Sequence, residues 1–367
     1  MSNKILFFLK VPPPTTGATL MNERVINNEY LKKRFNIRSI PISYAESVAD
    51  IGKNKAYKIS IFIKNGFKLF YELAFHKPDL VYFQISPLGL PFLRDSLYVL
   101  LMKCFNVKIL FHLRAKGIKD EIDSIWKKKL YKLVFKSEEI ICLSRLVMDD
   151  IENVHSGPVH IVSNGIPDYT QKINGINKLN NQDVNILFLS NLLVAKGILD
   201  FLDALKIIKE SNIPFKGIII GGESDLTSRE LNEEIKTRKL DENVKYLGPK
   251  YEIEKHDYIE SSDILVFPTK MKWETFGNIN LEAMMHSKPI IATNIAAIPE
   301  IIDDGISGFI VNPNSPLEIA DRLKLLIEDP QKRLEFGKEG RKKYESYYTL
   351  DHFQRRMNDV FSKILNN

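Results

Sequence analysis

Two glutamates, Glu274 and Glu282, stand eight positions apart in the run Glu-Thr-Phe-Gly-Asn-Ile-Asn-Leu-Glu. The apolar stretch before them, Ile264 to Phe267, stops at Pro268 and reads as a strand. A helix is expected from about Gly277, which puts Glu282 about a turn and a half inside it. The backbone N–H groups of Phe276, Gly277 and Asn278 would open that helix, where unpaired donors and the dipole favour an anion. A diphosphate suits such a place, and Gly277 would let the backbone approach it closely. On spacing alone, a pair of solvent-facing carboxylates is an equally good reading.

Other residues carry possible chemistry in the same way. Lys196 precedes Gly197 after the apolar run 184–190, at a strand-to-helix junction. Near the start, Pro12-Pro13-Pro14-Thr15-Thr16-Gly17-Ala18 lies between a first strand and a first helix, where doubly wound domains present backbone donors to ligands. It is not a G-x-G-x-x-G loop, and a proline-stiffened turn accounts for the prolines themselves. His112 ends a strand, a position more often structural than functional, and Arg114 and Lys116 follow it.

These residues need elements to hold them. Short runs rich in Ile, Val and Phe at 4–9, 37–42, 79–85, 107–112 and 138–143 alternate with helix-like stretches at about 18–34, 55–75, 90–103, 123–136 and 144–153. That is repeated βα, hence a doubly wound parallel sheet. The polar segment 169–183, rich in Asn, Gly and Lys, reads as a linker. The alternation then restarts with strands at 184–190, 215–221, 243–247, 263–267, 289–292 and 308–311. The predicted fold is therefore α/β, with two Rossmann-like domains facing across a cleft. They are assigned to 1–168 and 184–346, with a last helix, 347–367, expected to pack back on the first.

Composition narrows the function. The chain has 367 residues, 44% hydrophobic and 27% charged, which is ordinary for a folded protein of two domains. The apolar run Ile5 to Leu9 is too short for a signal-peptide core. Leu97 to Leu113 is broken by Lys103, Asn106 and Lys108, so no spanning helix is expected. Cys104 and Cys142 stand singly and read as buried thiols of a reducing compartment, which makes the cytoplasm the expected location. Residues 1–168 hold 25 Lys+Arg against 16 Asp+Glu, net +9, leaving 27 against 30, net −3, for the rest. The basic stretch 124–136, with Lys127, Lys128 and Lys129, could lie on an anionic bilayer, though packing on its own sheet explains its apolar side equally well.

Within its surrounding text, the pair of glutamates resembles the signature of the family 4 retaining glycosyltransferases, which have the GT-B fold. Phe188-Leu189-Ser190-Asn191-Leu192-Leu193-Val194-Ala195-Lys196-Gly197 is similar to that family's strand-to-helix segment. Ser163-Asn164-Gly165-Ile166, Pro289 to Thr293, Ile298 to Ile302 and Asp304 to Phe309 follow its order. The resemblance covers nearly the whole chain. It implies Glu282 at the donor ribose, Glu274 and His112 at the donor sugar, and Lys196 at the diphosphate. Asn191, Phe276, Gly277, Asn278, Thr16 and Gly17 would complete the donor site, and Arg114 and Lys116 would meet an acidic or phosphorylated acceptor. Two departures stand out. Asn191 replaces an arginine, losing a charge, and Ala296-Ala297 stands where two glycines are usual.

By resemblance, the implied reaction transfers a sugar from a nucleoside diphosphate, uridine favoured over guanosine, to a glycan or polyprenyl-diphosphate-linked acceptor in surface polysaccharide synthesis. Nucleic acid is not an expected partner, and the inner face of the plasma membrane is an expected place of work. No Asp-x-Asp occurs, so metal independence is expected. A sugar-nucleotide epimerase of the same two-lobed fold, or a non-catalytic sugar-nucleotide binder, remains the alternative. A nicotinamide oxidoreductase does not fit, because no G-x-G-x-x-G with a later acidic residue opens either domain.

Overall fold

The computed structural model describes residues 2–44, 55–173 and 183–366. The chain forms two compact units, residues 1–164 with 351–367, and residues 165–350. Most of the 169–183 stretch read as a linker, residues 174–182, lies outside the described residues.

The first unit runs β1 (Lys4–Lys10), α1 (Gly17–Ile26), α2 (Glu29–Arg34), β2 (Asn36–Ile42), α3 (Lys55–Tyr71), β3 (Leu80–Phe83), α4 (Gly89–Cys104), β4 (Lys108–His112), α5 (Ile118–Glu121), α6 (Ile125–Phe135), β5 (Glu139–Cys142) and β6 (Val159–Ile161). Its strands are all parallel, in the order β2-β1-β3-β4-β5-β6. Alternation along β1 sends neighbouring phenylalanines to opposite faces. Phe8 packs on Tyr98 of α4 at 4.9 Å, whereas Phe7 packs on Phe361 at 5.9 Å. Phe361 belongs to the last helix, residues Leu350–Asn366, which thereby supplies core to the first unit.

Three local expectations change. The single helix expected over 18–34 is two, because Asn28 interrupts it and its Oδ1 accepts from Tyr30 N and Leu31 N to cap the second. The stretch 144–153 holds only a short 3₁₀ turn, Arg145–Asp150, and β6 was not foreseen from its three residues. Cys104 lies on the surface at the end of α4; Cys142 is buried, and burial pushes its thiol up to about 12.

The second unit runs β7 (Val184–Leu189), α7 (Ile198–Glu210), β8 (Phe215–Ile220), α8 (Ser228–Thr237), β9 (Val244–Tyr246), α9 (Glu252–Ser261), β10 (Ile264–Phe267), α10 (Asn278–Met285), β11 (Ile290–Thr293), α11 (Ile298–Ile301), β12 (Gly308–Val311), α12 (Pro316–Glu328) and α13 (Pro330–Lys343), after which α14 (Leu350–Asn366) begins. Its strand order is β12-β11-β10-β7-β8-β9, again all parallel. The sequence steps outward from β7 to β9 and then returns to the other side of β7 with β10. Loops leaving β7 and β10 therefore diverge and leave a crevice at the strands' carboxyl ends, the usual ligand position in such sheets.

Candidate active site

At that crevice the turn after β7 meets the loop after β10. Val194–Lys196 form a 3₁₀ turn, and Lys270 N donates to Ala195 O at 2.9 Å, tying the two segments together. Gly197 closes the turn at φ +82°, and a Cβ there would stand 2.0 Å from Pro268 O. Only glycine permits both the left-handed backbone and this approach. The ammonium of Lys196 lies 5.3 Å from the Phe267 ring centroid and donates to Glu274 Oε2 at 2.5 Å. Glu274 is 9% exposed, and its other oxygen accepts from Thr275 N at 3.1 Å.

From Glu274 the loop turns through Gly277, φ +73°, into α10. Phe276 is buried, and Gly277 and Asn278 begin the helix with no side-chain cap at Gly277. Glu282 lies farther along α10 and accepts from Lys255 Nζ of α9 at 2.7 Å. Two further cations of this unit are Lys255 and Lys270, the latter paired with Asp200 at 2.8 Å. Neither lies inside a recognisable motif, so only the fold brings them in. Asn280, in the first turn of α10, was also missed: it is fully buried, and neither its Oδ1 nor its Nδ2 has a partner in the structure. Asn191 sits exposed after β7, near Gly222 of the loop following β8.

The first unit gathers a separate polar cluster. His112 is wholly buried at the end of β4. Tyr82 Oη and Arg114 Nη2 both approach its Nδ1, at 2.5 and 3.5 Å. Burial pushes the Tyr82 phenol up to about 12, so it stays protonated and donates. Nδ1 is thus the acceptor and the ring proton sits on Nε2, which has no partner in the structure. Burial, aided by the Arg114 charge, holds the His112 pKa well below the usual 6.5, keeping the ring neutral.

Arg114 is 8% exposed rather than displayed at a surface. Its Nε donates to Asn22 Oδ1 at 3.2 Å and its Nη1 to Asn164 Oδ1 at 2.8 Å. Lys116 pairs with Asp149 at 3.1 Å. Thr16 caps α1, its Oγ1 accepting from Thr19 N at 3.2 Å, and Gly17 is exposed as the first residue of that helix. The Thr16 hydroxyl is therefore engaged in holding the helix start. Among the described residues, no three His, Cys, Asp or Glu side chains converge as a metal site would require.

Residues 170–343, which contain Lys196, Glu274 and Glu282, match the family model for glycosyl transferases group 1. This stretch is a group 1 glycosyltransferase domain. A 41.2 kDa protein from the cps region of Klebsiella pneumoniae is 30% identical over 214 residues, 53% of this chain and 56% of its own length. The Staphylococcus aureus capsular polysaccharide biosynthesis glycosyltransferase CapM is 26% identical over 188 residues, 51% of this chain and 48% of its own. The chain thus spans about half the length of the curated relatives it matches.

Solved structures extend the fold likeness to both units. A glycosyltransferase from Rickettsia africae superposes with a TM-score of 0.79 at 19% identity, covering 100% of this chain and 99% of that one. Anabaena HepE, solved with UDP-glucose, gives 0.72 at 17% identity over 98% and 99%. At such identities it is the fold that is shared: two Rossmann-like units, as in GT-B glycosyltransferases. The group 1 domain coincides with the second unit almost from end to end.

Proposed function

We propose that the chain transfers a sugar from a nucleoside diphosphate, with retention of configuration, to a glycan or polyprenyl-diphosphate-linked acceptor in surface polysaccharide synthesis. The observation that carries this reading is the Lys196–Glu274 pair at the switch point of the group 1 domain, with Glu282 on the following helix. A lysine ammonium has three N–H donors, so Lys196 can hold Glu274 and still donate a hydrogen bond to a diphosphate oxygen. The N-terminus of α10, which has no side-chain cap at Gly277, adds the positive end of its dipole to the same anion. Glu282, oriented by Lys255, suits the ribose hydroxyls, and Glu274 the sugar hydroxyls.

In the reaction, the bond between the sugar's anomeric carbon and the diphosphate oxygen breaks through an oxocarbenium-like state. The acceptor oxygen bonds to that carbon from the same face, and its proton passes to the departing diphosphate. Donors fixed on the leaving oxygens supply the main acceleration, and no metal is needed in this scheme. His112 offers a neutral N–H to a sugar hydroxyl, and Lys116 is assigned to the acceptor, with Arg114 held in the buried cluster around His112. The names of CapM and of the HepE complex with UDP-glucose support capsule synthesis and a uridine donor.

The test is incubation of the pure protein with a panel of sugar nucleotides and a polyprenyl-linked glycan extract, read by mass spectrometry. A glycan heavier by one sugar, with nucleoside diphosphate released in equal amount, supports transfer. An isomerised sugar nucleotide would indicate the epimerase instead, and tight binding without turnover a non-catalytic binder.

A further inference from the structure

The helices α3, α4 and α6 lie side by side on one face of the first unit's sheet. Tyr98 of α4 packs on Phe8 of β1 and Phe62 of α3, Phe135 of α6 on Phe111 of β4, and Phe92 of α4 stacks on Tyr131 of α6 at 3.8 Å. Their inner sides are thereby satisfied. Their outer sides are not polar, as covering helices normally are. On α3 the residues Ile59, Ile63, Phe67 and Phe70 recur at helical spacing and all face solvent, Phe67 at 72% exposure. Phe75 beyond them is 69% exposed, and Leu90, Leu93 and Leu97 continue the surface on α4, Leu90 at 79%. Phe70 touches Phe105 at 5.7 Å, joining the two helices' C-terminal ends into one patch. Trp126 and Leu133 add an exposed pair on α6.

The charge on this layer has one sign. Neither α3 nor α6 contains an Asp or Glu, and the single acid of α4, Asp95, is buried against Lys10 and Arg94. Lys64 and Lys68 flank Phe67, and Lys128, Lys129 and Lys132 are exposed on α6. Lys127, singled out from sequence, is instead occupied by Glu121 and Asp123. A second copy of the same face would bring lysines against lysines. An anionic bilayer complements both properties, apolar side chains entering the headgroup boundary and ammonium groups meeting lipid phosphates.

We infer that this unit docks on anionic lipid through the outer face of α3 and α4, with the lysines of α6 as an electrostatic margin. Among the described residues no helix is long and apolar enough to cross a membrane, so the contact is peripheral. It would bring the chain to a lipid-linked acceptor, but rests on none of the site assignments above.

Co-sedimentation of the full chain with vesicles of phosphatidylcholine, alone and mixed with phosphatidylglycerol, tests it without donor or acceptor. Binding is expected only to the mixed vesicles and should be released by salt. Phe67→Ser with Phe75→Ser, and separately Lys64→Glu with Lys68→Glu, should each weaken it at least about tenfold. Lys64, Phe67 and Lys68 are exposed on α3 and Phe75 is exposed just past it, so unchanged melting and circular dichroism are expected. Absence of binding at low salt, or binding indifferent to both variants, overturns the inference. So does a dimer that the phenylalanine variant dissociates while vesicles are ignored. Sugar transfer that persists in any of these outcomes leaves the proposed function standing.

Discussion

Lys196 and Glu274 come from segments 78 positions apart and meet at 2.5 Å, both side chains largely buried. Removing the lysine therefore has two effects. Lys196→Ala should lower turnover by roughly 10² to 10³, the usual cost of losing one donor aimed at a developing oxyanion. It also leaves a largely buried carboxylate without its cation, which should cost about 1–3 kcal/mol of stability. Steady-state kinetics and urea unfolding on the same preparation separate the two. Turnover above about a tenth of the parent's would place the diphosphate elsewhere.

The two carboxylates should divide their work. Glu274→Ala is expected to abolish transfer and leave nucleotide affinity nearly unchanged, since the proposed place of Glu274 is at the sugar. Glu282→Ala should weaken the nucleotide itself, and Lys255→Ala should follow it more mildly, because Lys255 holds the Glu282 carboxylate. Calorimetric titration with the nucleoside diphosphate decides; equal losses for Glu274→Ala and Glu282→Ala would reject the division.

Tyr82→Phe tests the proton position on His112. Without the phenol, Nδ1 keeps only the long approach of Arg114, and the ring can place its proton on either nitrogen. Nitrogen-15 shifts of the imidazole should report a single Nε2–H form in the parent and a mixture in the variant. A parent spectrum with the proton on Nδ1 would refute the assignment.

The same burial gives a pH signature. The folded pKa of His112 is held below the ordinary 6.5, so below that pH the unfolded chain binds a proton the folded one refuses. Stability from this group is full above about pH 6.5 and falls with acidification by up to about 1.4 kcal/mol per pH unit. Urea unfolding at pH 7 and pH 5 should show a smaller loss in His112→Gln than in the parent. Identical losses in the two proteins would mean that His112 titrates normally.

Gly197→Ala should be destabilising by at least about 2 kcal/mol, from the left-handed backbone and the collision with Pro268 O. Thermal melting gives the cost. If the variant melts like the parent, the turn that carries Lys196 is looser than the structure shows.

The strand-to-helix rhythm was readable because buried parallel strands are short and continuously apolar, as in β1, β7 and β10. The break at Asn28 was not, since capping by one side chain leaves the apolar pattern of α1 and α2 intact. Lys196 stood out because it precedes Gly197 at a strand-to-helix junction, and Glu274 and Glu282 because they bracket the expected helix start at Gly277. Lys255 and Lys270 did not, being lysines on a helix and a loop, indistinguishable in a sequence from solvated ones. The hydrogen-bonded state of His112 depends on Tyr82, 30 positions away, and pairing across strands of that kind has no local signature. Nor could the exposed side of α3 be told from a buried one, since both follow the same helical period.

The chain enters the second unit at Ile166 and leaves it at Thr349, the two residues paired side by side. Residues 165–350 are therefore an insertion between the first unit's sheet and the helix that completes it. On the ribosome, β1 must wait for Phe361, more than three hundred residues behind it, before that face of its sheet is covered. The inserted unit has all of its strands well before then. The first unit, begun before the inserted one, thus completes its core after it, and a stop codon after residue 350 would spare the inserted unit while stripping Phe7 and Tyr82 of their shared neighbour.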